Sequence, residues 1–148
     1  MSNSKSEIRN PKFPLDAVVV GAGPAGLAAA IEARKLGLSC VALEKGGITN
    51  SILHFPMQMI FFTTPELLEI GGMPLISERE KPTRNEALKY YRKVVQAFGI
   101  DVHQYEEVAR IEQIEPHVFR VHTTKSTYDT RNVVISIGYY DNPNFMGV

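Results

Sequence analysis

Cysteine is nearly absent from the 148 residues: Cys40 stands alone. One cysteine excludes a disulfide framework, a Cys-x-x-Cys redox pair and any zinc site built from several thiolates. Such a chain reads as the product of a reducing compartment, the cytoplasm. An excess of charge of either sign is missing as well. Sixteen Lys and Arg balance sixteen Asp and Glu, so no global positive field exists to hold a nucleic-acid backbone or an anionic membrane. Long apolar runs are also lacking. The stretch from Leu15 to Ala33, preceded by Lys5, Arg9 and Lys12, comes nearest. Asp16 opens it, Gly21, Gly23, Pro24 and Gly26 interrupt it, and Glu32 and Arg34 close it. A signal peptide needs an unbroken apolar segment and a membrane span needs about 20 apolar residues; neither condition is met. There is no internal repeat and no low-complexity tract. Four histidines, His54, His103, His117 and His122, lack metal-ligand spacing and read as surface or turn residues.

What is present is ordinary globular material, 44% hydrophobic and 22% charged, in an amount that suits one domain. Residues 1–14 are polar and predict a loose tail, leaving 15–148 as the folded unit. Asp16 to Val20 is a short β-branched run of the kind buried on both faces of a sheet. A helix is predicted from Pro24 to Leu36, with proline in its first turn, alanine through its body and Gly37 as its stop. Cys40 to Glu44 reads as a second strand, and the resulting βαβ unit makes the two strands parallel. Lys45 to Pro82 loses all periodicity, and a long irregular segment of this kind is usually functional. Within it, Met57, Met59, Phe61 and Phe62 alternate as a half-buried strand would; core packing is the first reading and a ligand-facing wall the second. Thr83 to Glu86 forms a capping box for a helix to Phe98, with Leu88, Tyr91, Val95 and Phe98 as the buried stripe and Gly99 as the stop. Ile100 to His103 then predicts a third parallel strand. Val108 to Ile114, Val118 to Thr124 and Arg131 to Ile137 predict a three-stranded meander with turns at Pro116-His117 and Lys125-Ser126.

Gly21-Ala22-Gly23-Pro24-Ala25-Gly26 fits Gly-x-Gly-x-x-Gly. The bare pattern is weak, but here a buried strand precedes it, a helix follows, and Glu44 ends the second strand close to the expected offset of roughly 20 residues. Gly21 permits the tight turn, Gly23 lets a pyrophosphate approach the backbone, and Gly26 lets the helix lie against the sheet. The first helical turn, with Pro24 and Ala25, turns its N–H groups and dipole toward the phosphates. Glu44 would accept hydrogen bonds from the adenosine ribose and repel a 2′-phosphate. Because FAD and NAD share the same ADP moiety, these residues alone do not distinguish them.

The loop together with Glu44-Lys45-Gly46-Gly47 resembles the amino-terminal FAD signature of the two-dinucleotide-binding-domain flavoproteins, of which the thioredoxin reductases are typical. The apolar run Val133 to Ile137 before Gly138 is similar to that family's strand ending in an Ala-Thr-Gly turn beside FAD, with Ser136-Ile137 in place of Ala-Thr. Asn50-Ser51, Phe61-Phe62, Leu68 to Gly71, Gly138 to Asp141, Pro143-Asn144 and Met146 to Val148 resemble the bacillithiol-disulfide reductases, FAD enzymes that use NADPH. Flavin-containing monooxygenases, which share the FAD loop, are the alternative, although no Phe-x-Gly-x-x-x-His signature occurs. A non-enzymatic dinucleotide-binding module is a further alternative.

The resemblance implies an α/β, Rossmann-like FAD-binding domain with a parallel sheet and a three-stranded antiparallel meander, serving a pyridine-nucleotide-dependent oxidoreductase. Gly138 would lie beside FAD, and Lys45 either neighbours the adenine ribose or faces solvent. Thr49, Asn50 and Ser51 either hydrogen-bond flavin edges or cap a turn. His54 is the one histidine the resemblance brings near the isoalloxazine. No acid/base dyad, nucleophile triad or metal site is expected, since the cofactor carries the hydride chemistry. A small-molecule electron acceptor is implied, and the resemblance leaves room for a homodimer. Two departures stand out. Members commonly carry a cysteine where this chain has Ala25, and Cys40 falls in a strand and reads as a packing residue. The family's NAD(P)H domain would begin shortly after Val148, and a returning carboxy-terminal segment completes its FAD domain. The chain therefore resembles the amino-terminal portion of a longer reductase, with NAD(P)H expected only in a longer form.

Overall fold

The computed structural model describes residues 14–139 and Gly147. The loose tail expected over 1–14, apart from Pro14, and the motif residues among 140–146 and 148 lie outside the described residues. Strand β1 (Ala17–Val20), helix α1 (Pro24–Lys35) and strand β2 (Cys40–Glu44) form the predicted βαβ unit. Its strands are parallel, with Ala17 opposite Cys40 and Val20 opposite Leu43. Short helix α2 (Asn50–Leu53), a single 3-10 turn at Pro65–Leu67 and helix α3 (Arg84–Phe98) follow. The strands β3 (Val102–Gln104), β4 (Val108–Glu115), β5 (Val118–Thr123), β6 (Thr127–Thr130) and β7 (Val133–Ile135) complete the described fold.

Two sheets result. One is parallel with order β3-β2-β1-β7, and the other is antiparallel with order β4-β5-β6. Side chains of a strand alternate between faces, and both faces of β1 and β2 are covered. Val19 and Ala42 pack on Ala30 of α1. Val18, Val20, Val41 and Leu43 pack on Val121 of the meander. This double burial explains the near-continuous Val, Ala and Leu composition of both strands.

The meander differs from expectation in one element. Its third strand is the polar β6, not Arg131 to Ile137. The apolar Val133–Ile135 instead returns to the parallel sheet as β7, with Val18 opposite Val133 and Val20 opposite Ile135. The physical reason lies in the partners. Thr127–Thr130 is held to β5 by cross-strand pairs that suit polar residues, above all the two-pronged Arg120–Asp129 ion pair at 2.8 and 2.9 Å. A β-branched run gains more beside buried β1.

Helix α3 carries the capping box as predicted. Thr83 N donates to Glu86 Oε2 at 2.7 Å, and Glu86 N donates to Thr83 Oγ1 at 3.3 Å. Gly99 closes the helix with φ of 58°. The buried stripe is broader than Leu88, Tyr91, Val95 and Phe98. Ala87, Tyr90 and Val94 are buried, while Val95 and Phe98 are half-buried. The difference arises because α3 anchors the irregular segment as well as meeting α1. Tyr90 Oη donates to Met73 O at 2.8 Å, and Tyr91 Oη to Leu68 O at 2.9 Å. The capping box generates a pH prediction. Hydrogen bonds from Thr83, the backbone amide first and the hydroxyl next, hold the Glu86 carboxyl down from 4.5 to about 2. A carboxyl lowered on folding adds stability above its unfolded pKa and loses it as pH falls through its folded one. Glu86→Gln is expected to flatten the loss of stability between pH 4.5 and about 2. Denaturant unfolding at several pH values checks this, and curves parallel to the unsubstituted chain would contradict it.

Candidate dinucleotide cleft

At the carboxyl ends of β1, β2 and β7 the chain leaves a cleft of about 850 Å³. Ends of parallel strands where the strand order reverses are where open α/β sheets bind ligands. Gly21, Gly23, Pro24, Ala25, Glu44 and Lys45 line one side, and Asn50, Ser51 and Gly138 also border the cleft. Of the predicted site residues only Gly26 lies behind the wall. A Cβ at Gly26 would stand 1.9 Å from Gly21 O and 2.6 Å from Ser136 Oγ, so its glycine serves the close packing of α1 on the sheet.

Gly23 is different. Its φ of −76° and ψ of 179° are open to any residue, and a Cβ there would meet no protein atom within 4 Å. Neither backbone strain nor packing within the chain accounts for glycine at this position, which borders the cleft. Gly23 is also the N-cap of α1, and the helix start has neither a side-chain cap nor an acidic residue in its first turn. Helix geometry leaves the amides of Ala25 and Gly26 without an intrahelical acceptor. The helix dipole adds partial positive charge at the same point. The corner suits an anion.

The loop carbonyls are turned into the protein. Ser136 Oγ donates to Gly21 O at 3.0 Å, Thr49 N donates to Ala22 O at 3.0 Å, and Leu27 N donates to Gly23 O at 2.9 Å. Thr49 does this from a left-handed conformation with φ of 55°, a costly geometry for a β-branched residue and one found at functional sites. Glu44, 6% exposed, accepts from Ala22 N at 2.8 Å through Oε2 and from Gly46 N at 3.0 Å through Oε1. A carboxylate has roughly four lone-pair sites, so each oxygen retains capacity toward the cleft.

Asn50 caps the turn after β2, its Oδ1 accepting from Gly47 N at 3.3 Å. A Cβ on Gly46 would strike that same oxygen at 2.1 Å. Arg84, in the first turn of α3, donates to the carbonyls of Ile52 and Leu53 and so fastens α2. His54 is exposed, its Nδ1 2.8 Å from Asn50 O, and it is not part of the cleft wall. The aromatic and methionine cluster divides: Met59, Phe61 and Phe62 border the cleft, Phe61 also packs against the core, and Met57 and Phe62 are 77% and 90% exposed. Cys40 is half-buried beside Val19, Ala30 and Ala42, and burial pushes its thiol up, away from thiolate reactivity.

Sequence reasoning did not mark the wall residues Tyr91, Glu107 and Val108, nor Ser136 as a holder of the loop. Glu107 and Val108 reach the cleft because Glu106, just before them, is buried. Glu106 Oε1 accepts from Thr123 Oγ1 at 2.7 Å and from Tyr128 Oη at 2.9 Å. Burial alone would raise its carboxyl; these hydrogen bonds and His103 outweigh burial and hold it below the usual range. Glu106 N also donates to Glu44 O at 2.9 Å, tying the crossover to the end of β2. No local pattern in the sequence signals this arrangement.

Comparison with known proteins agrees with this geometry. A family model for pyridine nucleotide-disulphide oxidoreductases matches residues 18–148. Bacilliredoxin reductase Bdr of Bacillus subtilis (strain 168) is 42% identical over 132 residues, which make up 89% of this chain and 41% of that protein. The bacillithiol disulfide reductase Bdr (YpdA) from Staphylococcus aureus superposes with a TM-score of 0.87 at 38% identity, covering 90% of this chain and 41% of that one. A flavin-containing monooxygenase from Stenotrophomonas maltophilia superposes with a TM-score of 0.81 at 26% identity, covering 90% and 42%. The chain thus spans about two-fifths of the length of these relatives. By its family match over residues 18–148, which include the glycine loop, the chain belongs to the pyridine nucleotide-disulphide oxidoreductase family.

Proposed function

We propose that residues 15–148 are the FAD-binding portion of a thioredoxin-reductase-like oxidoreductase driven by NAD(P)H, with a low-molecular-weight disulfide as electron acceptor. The observation that carries the reading is Gly23, a glycine with neither a conformational nor a packing reason, open to the cleft at an uncapped helix start. The identity of 38–42% to disulfide reductases favours this acceptor class over the monooxygenase reading, whose relative stands at 26%. Bound FAD would supply hydride acceptance and donation.

In this reading the chain's own residues bind and orient. The Ala25 and Gly26 amides and the dipole of α1 hold the diphosphate. Glu44 accepts from the ribose hydroxyls, its negative charge disfavours a 2′-phosphate there, and Lys45 stands next to it in the chain. Ser51, Gly138 and the Met59 and Phe61 wall enclose the flavin end and limit water. Asn50 acts chiefly by capping the Gly46-Gly47 turn. The chain supplies no reactive thiolate: Ala25 occupies the position of the family cysteine, and the Cys40 thiol is raised by burial.

Flavin fluorescence titration of the purified chain is expected to show saturable but weak FAD binding. Colourless protein stabilised by NAD and not by FAD would overturn the reading. Two glycine substitutions are expected to separate binding from folding. Gly23→Asp supplies a preferred N-cap with a charge that suits the helix dipole, so the FAD-free fold gains up to ~1 kcal/mol. The same charge fills the diphosphate position, and FAD affinity falls at least ~100-fold, since each tenfold is about 1.4 kcal/mol. Gly26→Ala forces a backbone clash and costs ~1–3 kcal/mol of stability. Thermal unfolding and flavin fluorescence titration read both; undiminished FAD affinity in Gly23→Asp would contradict the assignment.

A further inference from the structure

Ser136 occupies a position that packing alone does not explain. Its N donates to Val20 O at 2.8 Å, as β7 pairing with β1 requires. Its hydroxyl, with one proton to give, shares it between Val20 O at 2.9 Å and Gly21 O at 3.0 Å. Gly21 O belongs to the Gly21–Ala22 peptide, and in a trans peptide the C=O and N–H point in opposite directions. The N–H of that same peptide unit, Ala22 N, donates to Glu44 Oε2 at 2.8 Å. One peptide plane is therefore gripped from both sides, by the Ser136 hydroxyl on its carbonyl and by the Glu44 carboxylate on its amide.

We propose that Ser136 is a positioning residue for Glu44, acting through the Gly21–Ala22 peptide, and so sets the affinity of the cleft for the adenosine diphosphate half of a dinucleotide. This inference rests on the dinucleotide reading of the cleft and deepens it. Two physical effects connect the groups. A hydrogen bond accepted by the carbonyl polarises the peptide and strengthens the bond its N–H makes, as in hydrogen-bonded chains generally. The hydroxyl also fixes the rotation of the peptide, so Ala22 N–H stays aimed at Oε2 while Gly46 N holds Oε1 at 3.0 Å. The carboxylate is then fixed at the end of β2 before any ligand arrives, and preorganisation of this kind lowers the ordering cost of binding. Ser136 also borders the cleft, and its Oγ packs against the first turn of α1, 2.6 Å from where a Gly26 Cβ would stand.

The test is a double-mutant cycle on ADP affinity with the 148-residue chain, using Ser136→Ala, Glu44→Gln and the pair. Alanine fits in the space serine leaves, and thermal unfolding of each variant confirms the fold. Ser136→Ala is expected to weaken ADP binding about tenfold, the scale of one lost hydrogen bond. In the Glu44→Gln background the same change is expected to cost twofold or less, because coupled residues are non-additive. In ligand-free protein, Ser136→Ala is expected to move the Ala22 amide proton resonance upfield, as its bond to Glu44 weakens. Equal losses in both backgrounds, or no loss with an unmoved Ala22 resonance, would overturn the inference while leaving the dinucleotide reading standing. If the unsubstituted chain itself binds no ADP, both fall together.

Discussion

The approach of the Gly21 carbonyl to the α-carbon of Gly26 is the contact on which the rest of the structure depends. It is possible only where residue 26 has no Cβ, since a Cβ at Gly26 would overlap that oxygen at 1.9 Å. The contact brings the start of α1 down onto the end of β1, so the helix axis and its amides point at the strand ends. β7 joins from the other side, its Ser136 carbonyl 2.5 Å from where a Gly21 Cβ would lie. Close packing here leaves the anion corner no freedom to relax, and its geometry is fixed by backbone rather than by adaptable side chains.

Around that corner the fold assembles a cleft from distant parts of the chain. Glu44 comes from β2, Ser136 from just beyond β7, and Glu107 and Val108 from the crossover into the meander. The irregular segment between β2 and α3 supplies the apolar wall. It holds its shape because Tyr90 and Tyr91 hydrogen-bond its backbone and Arg84 fastens the end of α2. Buried polar groups with partners of this kind define one arrangement. Among the described residues no helix is long and apolar enough to cross a membrane, and no cluster of His, Cys, Asp and Glu could hold a metal ion. The chemistry concentrates in the glycine loop and its carboxylate.

Local features of the fold were legible in the sequence. The βαβ unit, the Thr83–Glu86 capping box and the Gly99 stop each depend on a few neighbouring residues, and each stands where the pattern put it. Features decided by distant pairing were not. Val133–Ile135 is apolar enough to serve as either a meander strand or a sheet strand, and the buried edge of β1 decided between them. Thr127–Thr130 is too polar to read as a strand until Arg120 and Val121 lie opposite it. Helix α2 is four residues long and begins after a left-handed Thr49, a combination that no periodicity reveals. Phe62 reads as core in a list of apolar residues, yet it borders an open cleft. Glu44 and the three loop glycines were singled out because their spacing is readable along the chain, and the structure brings Gly21, Gly23 and Glu44 to one cleft. Ser136 as a holder of the loop and Tyr91 as a cleft wall were not, because these roles are set by three-dimensional neighbours.

The central claim is that backbone amides at the start of α1 receive a diphosphate. Its most direct measurement is an amide proton–nitrogen NMR titration of the chain with inorganic diphosphate and then with ADP. The account predicts that the largest shifts with diphosphate fall on Gly23, Ala25 and Gly26, and that ADP adds shifts at Lys45 and Gly46 beside Glu44. Shifts centred elsewhere, with these amides unmoved at saturation, would contradict it.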